Sequence, residues 1–291
     1  NSSDSRLKSN SLRSLRQLKD GHAIEQAITA LSHVESQLEA LNYLREFGDA
    51  AYIGAVQDLV KTSRSVDRTI GVVRVLDHWS KREQSEVQRT KLRRAIESIH
   101  GTSGTLIHWS VFPPSNHAKE LLKGAIPRSG QPQTTIAAGA DALVTITSSK
   151  KAGTWTAVAH ARLQKPLDVE FLTSASGAYR IWVNKKQVYR REKPKRFLVD
   201  SDQFSVKLNQ GTNQIVIAVE GKPRSAQFRA RFRAKTSRAD HERLVKLALQ
   251  SRGNPARGRQ LFLTAQKSLC IKCHRIGSQG GAVLRQTRPY C

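Results

Sequence analysis

Near the end of the chain stand Cys270, Ile271, Lys272, Cys273 and His274. Two cysteines three positions apart, followed at once by a histidine, have the attachment spacing of a covalently bound c-type haem. On one turn of helix the two thiols reach the two vinyl groups of a single porphyrin and form thioethers. The histidine, next in line, offers a neutral imidazole nitrogen to the iron. Two other chemistries use a Cys-x-x-Cys pair, half of a zinc site and a thioredoxin-like redox pair. A closed zinc site needs four ligands with a second Cys or His cluster, and the remaining cysteine, Cys291, is solitary. A redox pair calls for a preceding strand in a βαβ context, whereas a helix-like stretch precedes this one. The residues therefore favour haem c, with Cys270 and Cys273 as covalent anchors and His274 as the proximal iron ligand.

A second set of residues could bind anions. In residues 227–235, Phe228, Ala230 and Phe232 alternate with Arg229, Arg231 and Arg233. A strand with its core on one side would display the three guanidiniums as a row on the other, suited to sulfate, carboxylate or phosphate groups. Lys185, Lys186, Arg190, Arg191, Lys193, Lys195 and Arg196 form a second cluster near a hairpin. If the two faces coincide, they make one anion-binding surface; the alternative is a solvated outer face, because exposed charge is the default. Trp155, Tyr179, Trp182 and Tyr189 lie in strand-like runs, where core is the expected home.

The elements that must position these groups are legible in outline. A length of 291 residues suggests two or three domains, and 38% hydrophobic content suffices for ordinary cores. No apolar run is long enough to span a membrane. The chain contains no methionine, even at its start, and reads as a fragment or processed piece. The formal charge of +26 attracts anions. The basic residues are spread along the whole chain without a zinc-finger, RNP or basic-zipper pattern, which disfavours nucleic acid as the partner; acidic polysaccharide is the alternative.

Residues 1–20 read as a partial helix. From there to 100 the apolar spacing is helical: Ala23, Ile24, Ala27, Ile28 and Leu31, then Leu38, Leu41, Leu44 and Phe47 before a Gly48-Asp49 break. Ile53, Val56, Leu59 and Val60 follow, then Val66, Ile70, Val73 and Leu76, then Val87, Leu92, Ile96 and Ile99. Residues 101–135 are rich in glycine and proline and read as linker, with a strand-like piece at 106–112. From 136 to 235 the period switches to two, with turn residues every eight to twelve positions, which predicts an antiparallel sandwich. Residues 236–291 hold an amphipathic helix, then Asn254 and Pro255 opening another helix before the cysteines.

Several stretches resemble known families. Residues 38–60 are similar to a HEAT-type repeat, an apolar helix, a Gly-Asp turn and a second apolar helix. The "LNQGTNQIVIAV" stretch, with "YRIWVNKKQV", resembles the jelly-roll domains of the galactose-binding-like class. The last segment resembles the N-terminal part of a class I cytochrome c, and most closely the CxxCH haem domains of large multidomain proteins of Planctomycetes. Gly253, Pro255, Gly258 and Phe262 match the helix that leads into the motif, and Gly277, Gly280 and Gly281 the loop after it. The fold expected from these resemblances is multidomain: HEAT-like helical repeats over 1–100, a jelly-roll-like sandwich over 136–235, and an incomplete all-α cytochrome c module over 236–291.

In that family the chain continues beyond the histidine and supplies a distal methionine sulfur. This chain ends 17 residues after His274 and contains no Met, so a haem held by the two thioethers and His274 is expected to be five-coordinate or water-ligated, and this stretch is not expected to enclose it by itself. Its potential should then lie below that of a Met-ligated haem, since thioether sulfur favours reduced iron.

The expected function is one-electron transfer in a periplasmic or otherwise extracytoplasmic protein, because covalent haem attachment takes place outside the cytoplasm. The resemblance implies a redox partner protein or a linked dehydrogenase domain. No nucleotide fingerprint, nucleophile elbow or paired-carboxylate arrangement marks a catalytic site in this chain. The alternative function is an anionic polysaccharide-binding scaffold built on the basic sandwich.

Overall fold

In the computed structural model the described residues are 2–62, 65–114, 133–146, 153–221, 226–235, 246–247, 250, 253–264, 274–277 and 279–280. The chain divides into two compact units, Asn1–Lys235 and Thr236–Cys291. The first is mixed α/β, with helices packed on two antiparallel sheets.

The helical part runs α1 (Ser2–Gln17), α2 (Ile24–Ala30), α3 (Gln37–Phe47), α4 (Ile53–Thr62), α5 (Val66–Arg82) and α6 (Glu86–Ser103). Apolar residues at helical spacing bury one face of each. Ala27, Leu41, Leu44, Val56, Ile70, Val73, Leu76, Leu92, Ile96 and Ile99 all lie in the core. Leu38 and Val87 break the expected stripes, at 65% and 67% exposure. Each sits within the first two positions of its helix, α3 or α6, where the chain has only begun to turn. Asp49 accepts from the Ala51 amide and starts a 3-10 turn over Ala50–Tyr52, so the Gly-Asp break is a real stop and start.

The strands are β1 (His108–Phe112), β2 (Gln133–Ile136), β3 (Val144–Ile146), β4 (Gly153–Leu163), β5 (Leu167–Ala175), β6 (Tyr179–Val183), β7 (Lys186–Arg191), β8 (Asp202–Leu208), β9 (Gly211–Gly221) and β10 (Ala226–Ala234). They form a large sheet, β2-β1-β4-β9-β6-β7, and a small sheet, β3-β10-β5-β8. All the pairings are antiparallel. Inner-face residues of the two sheets meet in one core, in which Trp109 of β1 packs edge-on against Phe228 of β10, ring centroids 4.9 Å apart. Asn184 and Lys185, both at positive φ, make the turn between β6 and β7, the two-residue type that suits a twisted hairpin.

The stretch read as linker contributes structure at its start. Gly101 lies in the last turn of α6, and a Cβ there would come 1.9 Å from the Arg162 carbonyl oxygen of β4. Gly104 ends the helix at φ +69°, donates to the His100 carbonyl and accepts from the Phe232 amide of β10. β1, which follows, joins the large sheet between β2 and β4. These glycines let a helix end press onto both sheets, a role that composition cannot separate from a flexible link. Gly101→Ala should destabilise this unit by roughly 3 kcal/mol, a drop in thermal midpoint of about 6–12 °C, as read by calorimetry.

In the second unit the described elements are α7 (Pro255–Leu263) and a short hairpin, β11 (Arg275–Ile276) with β12 (Gln279–Gly280). Asn254 caps α7 by accepting from the Arg257 amide at 2.9 Å, with Pro255 at the first helical position, as its sequence predicts.

Candidate functional site

The residues expected to hold haem fall largely outside the described part. Cys270 and Cys273 lie within 265–273, outside the described residues, and so does Gly281. His274 is described and exposed, and its imidazole has no partner among the described residues. No residue of α7 is buried, and a Cβ on Gly258 would meet no atom within 4 Å among the described residues. As a donor set, two thiols three apart with an imidazole next to them fit a covalent haem.

The arginine row exists, but its charge is largely spent inside the protein. Phe228, Ala230 and Phe232 are buried and Arg229, Arg231 and Arg233 take the opposite face, as the alternation requires. Arg229 and Arg231 both bind the Asp200 carboxylate. Arg229 also donates to the Asp141 carbonyl, and its side chain is only 8% exposed. Arg233 donates from Nε to Glu170 Oε2 at 2.8 Å, its cross-strand neighbour on β5. Three guanidiniums thus face two carboxylates, leaving one net positive charge where three were expected.

The second basic cluster is also partly internal. Arg191 is buried and Arg190 pairs with Glu192, whereas Lys185, Lys186, Lys193, Lys195 and Arg196 are exposed without a partner among the described residues. They lie on and beside β7, the edge strand of the large sheet, while the arginine row belongs to the small sheet. The two sets do not share a strand or a sheet. Trp155, Tyr179 and Trp182 are buried, as expected, and Tyr189 is half-buried.

Arg191 belongs to an ionic cluster that sequence reasoning missed. Its Nη1 meets Asp202 Oδ2 at 2.6 Å, and its Nη2 donates to the carbonyls of Ala175 and Gly177 at 2.6 and 2.8 Å. Its guanidinium carbon lies 4.6 Å from the centre of the Tyr179 ring. Asp202 also accepts from the hydroxyls of Tyr179, Tyr189 and Ser201 at 2.7–3.0 Å. Burial, then the Asp202 hydrogen bond, pushes the Tyr189 phenol up to about 12. Because Arg191 is on β7 and Asp202 on β8, the cluster ties the edge of one sheet to the edge of the other.

A third group lies where α5 and α6 cross the outer face of the large sheet. His100 of α6 is 1% exposed. Its Nδ1 meets the His160 carbonyl of β4 at 2.7 Å, and its Nε2 accepts from the Ile107 and His108 amides at 3.1 Å. These partners fix the proton on Nδ1. Burial holds its pKa down at about 3, so the ring is neutral. Beside it, His108 Nε2 lies 3.0 Å from Asp77 Oδ1, whose other oxygen takes Lys81 Nζ at 2.7 Å. Burial raises the Asp77 pKa, but these two partners outweigh it and hold the carboxyl below its usual value. The sequence offers no local signal for this group, since its members stand up to 83 positions apart, from Asp77 to His160.

Among the described residues, no group of three or more His, Cys, Asp or Glu is placed to hold a metal ion, and no helix is long and apolar enough to cross a membrane.

Neither a family model nor a curated protein matches the chain. Of solved structures, β-glucosidase from Kluyveromyces marxianus in complex with glucose aligns at 12% identity and a TM-score of 0.34, over 49% of this chain and 18% of that one. A PA14 sugar-binding domain from an RTX adhesin aligns at 12% identity and 0.29, over 45% of this chain and 90% of the domain. The PA14 domain of the MpAFP antifreeze protein aligns at 11% identity and 0.30, over 45% and 83%. The chain therefore spans less than a fifth of the β-glucosidase. Overlaps of this quality transfer neither fold nor function.

Proposed function

We propose that this chain carries a c-type haem covalently on Cys270 and Cys273, with His274 as iron ligand, within an extracytoplasmic one-electron redox protein. The observation that carries this reading is the Cys270-x-x-Cys273-His274 spacing. The two thiols anchor the porphyrin and the imidazole holds the iron. A bound haem supplies a reversible one-electron change at the iron. In this reading the second unit belongs to a cytochrome c module, the helices are a HEAT-like scaffold and the sandwich is a jelly-roll-like spacer. A redox protein or a linked dehydrogenase domain is the electron partner. Coexpression with haem-attachment machinery should give protein whose haem stain survives denaturing electrophoresis. Cys270→Ala with Cys273→Ala should remove the stain; stain of equal strength in that variant would reject the assignment.

One observation favours a second reading, an anionic polysaccharide partner. Lys185, Lys186, Lys193, Lys195 and Arg196, exposed and without a partner among the described residues, stand on β7 or within a few residues of its ends, where positive charge steers a polyanion. Retention on a sulfated polysaccharide column should fall steeply with salt and drop further in Lys193→Ala/Lys195→Ala/Arg196→Ala. Replacing Arg229, Arg231 and Arg233 should matter less, because their carboxylate partners already offset them. Equal retention of the β7-edge variant and the unaltered protein would sink this reading.

A further inference from the structure

We propose that the cleft between helices α5 and α6 and the outer face of the large sheet is a binding site for a small neutral polyhydroxylated molecule, a free monosaccharide or polyol. The inference rests neither on haem nor on the cationic β7 edge. The cleft encloses about 530 Å³, within the ~300–1,000 Å³ range of small-molecule sites. Sheet register builds its floor. Thr134 of β2 lies opposite Ser110 of β1, which lies opposite Val158 of β4. Two residues along β1, His108 lies opposite Ile136 of β2, and His160, two residues along β4 from Val158, also lines the cleft.

The polar groups around this floor divide into committed and open ones. Both oxygens of Asp77 and both ring nitrogens of His100 are taken within the protein. Arg89 is held by Glu86 and by the Glu83 carbonyl at 2.7 and 2.9 Å. These groups make a rigid frame. By contrast, the His160 ring and the hydroxyls of Ser110, Thr134 and Ser80 line the cleft with no partner among the described residues. Arg93 has only a 3.5 Å contact with Glu86 and is 59% exposed. Glu97, one turn further along α6, accepts from Thr212 at one oxygen and has no ion pair among the described residues.

The open set selects the ligand's chemistry. Hydroxyls donate and accept, and so does a neutral imidazole; burial lowers the His160 pKa, against the Glu97 charge, which raises it, and so favours the neutral ring. Arg93 adds a donor and Glu97 an acceptor of opposite charge, which favours a ligand without net charge. Ile96 and Val158 offer apolar surface to C–H groups, and no Phe, Tyr or Trp ring lines the cleft among the described residues to stack on a flat ligand.

The full chain should be titrated with glucose, galactose and sorbitol, with glucuronate as the charged control, while its histidine ring resonances are followed by NMR. Saturable millimolar binding of at least one neutral probe is expected, with the His160 ring resonance moving. Ser110→Ala/Thr134→Val and His160→Ala should each weaken that binding at least tenfold at an unchanged thermal midpoint. If a variant does not fold, protection of His160 from diethyl pyrocarbonate by the probe in the unaltered protein stands in its place. The proposal is overturned by no saturable binding, by binding that leaves His160 unmoved and unprotected or the folded variants unaffected, or by a tenfold preference for glucuronate.

Discussion

Asp202→Ala should lower the stability of the first unit by about 3–5 kcal/mol, a fall in thermal midpoint of about 6–20 °C. The reason is the company Arg191 keeps. Both side chains are 5% exposed, and the guanidinium loses its carboxylate while remaining buried between two sheet edges. The Tyr179, Tyr189 and Ser201 hydroxyls lose their shared acceptor as well. Arg191→Met with Asp202→Leu should recover the part of the loss that comes from the stranded guanidinium, because a buried ion pair and an apolar pair of similar volume are often near equal, while the three hydroxyls stay without their acceptor. The acid dependence has the same origin. Burial raises the Asp202 pKa, but hydrogen bonds from the two tyrosines and Ser201, with the Arg191 charge, hold it below the usual carboxylate value. The stability this gives is present above the unfolded carboxylate pKa and is lost as the pH falls below it. An Asp202→Ala cost under about 1 kcal/mol, within the range of surface ion pairs, would show that the cluster does not tie the sheets.

Acidification should act most strongly through His100. Its folded pKa, about 3, lies below the ordinary 6.5 because the ring is buried. Above pH 6.5 the ring is neutral in both states and titration contributes nothing. Between 6.5 and 3 the unfolded chain binds a proton that the folded chain refuses, so stability falls with pH by about 1.4 kcal/mol per unit. His78 and His160 are shifted in the same direction, chiefly by burial, and add to the slope. His100→Leu should flatten that slope. It should also cost several kcal/mol at neutral pH, since the Ile107 and His108 amides and the His160 carbonyl lose their partner, at about 1–3 kcal/mol each. Chemical denaturation across this pH range checks both; an unchanged slope in the variant would mean that His100 does not carry the titration.

The periodic parts of this fold were legible in the sequence because burial repeats there. β8 follows a period-two run and Leu92, Ile96 and Ile99 the helical one, since each periodicity states which face meets a core; β4, β5 and β9 each bury five residues in a row, so both of their faces are covered there. What could not be read are pairings set by the fold as a whole. The alternation of Arg229, Arg231 and Arg233 predicts their face correctly, but Asp200 reaches Arg229 and Arg231 across 29 and 31 positions. Arg191 stands in a run of cations that reads as surface, yet its strand ends where the two sheets meet. Gly101 and Gly104 carry the same letter as a flexible link while serving close approach. His100 joins elements 60 positions apart, from α6 to β4. The chemistry of Cys270, Cys273 and His274, by contrast, is written entirely in local spacing, which is why it could be read without the fold.

That spacing is tested most directly by a pyridine haemochrome spectrum of the full chain made with haem-attachment machinery, after acid–acetone extraction. The account predicts haem that stays with the protein and gives the haemochrome of a porphyrin with both vinyl groups saturated. Haem that extracts completely, or protein with no Soret absorbance, would contradict it.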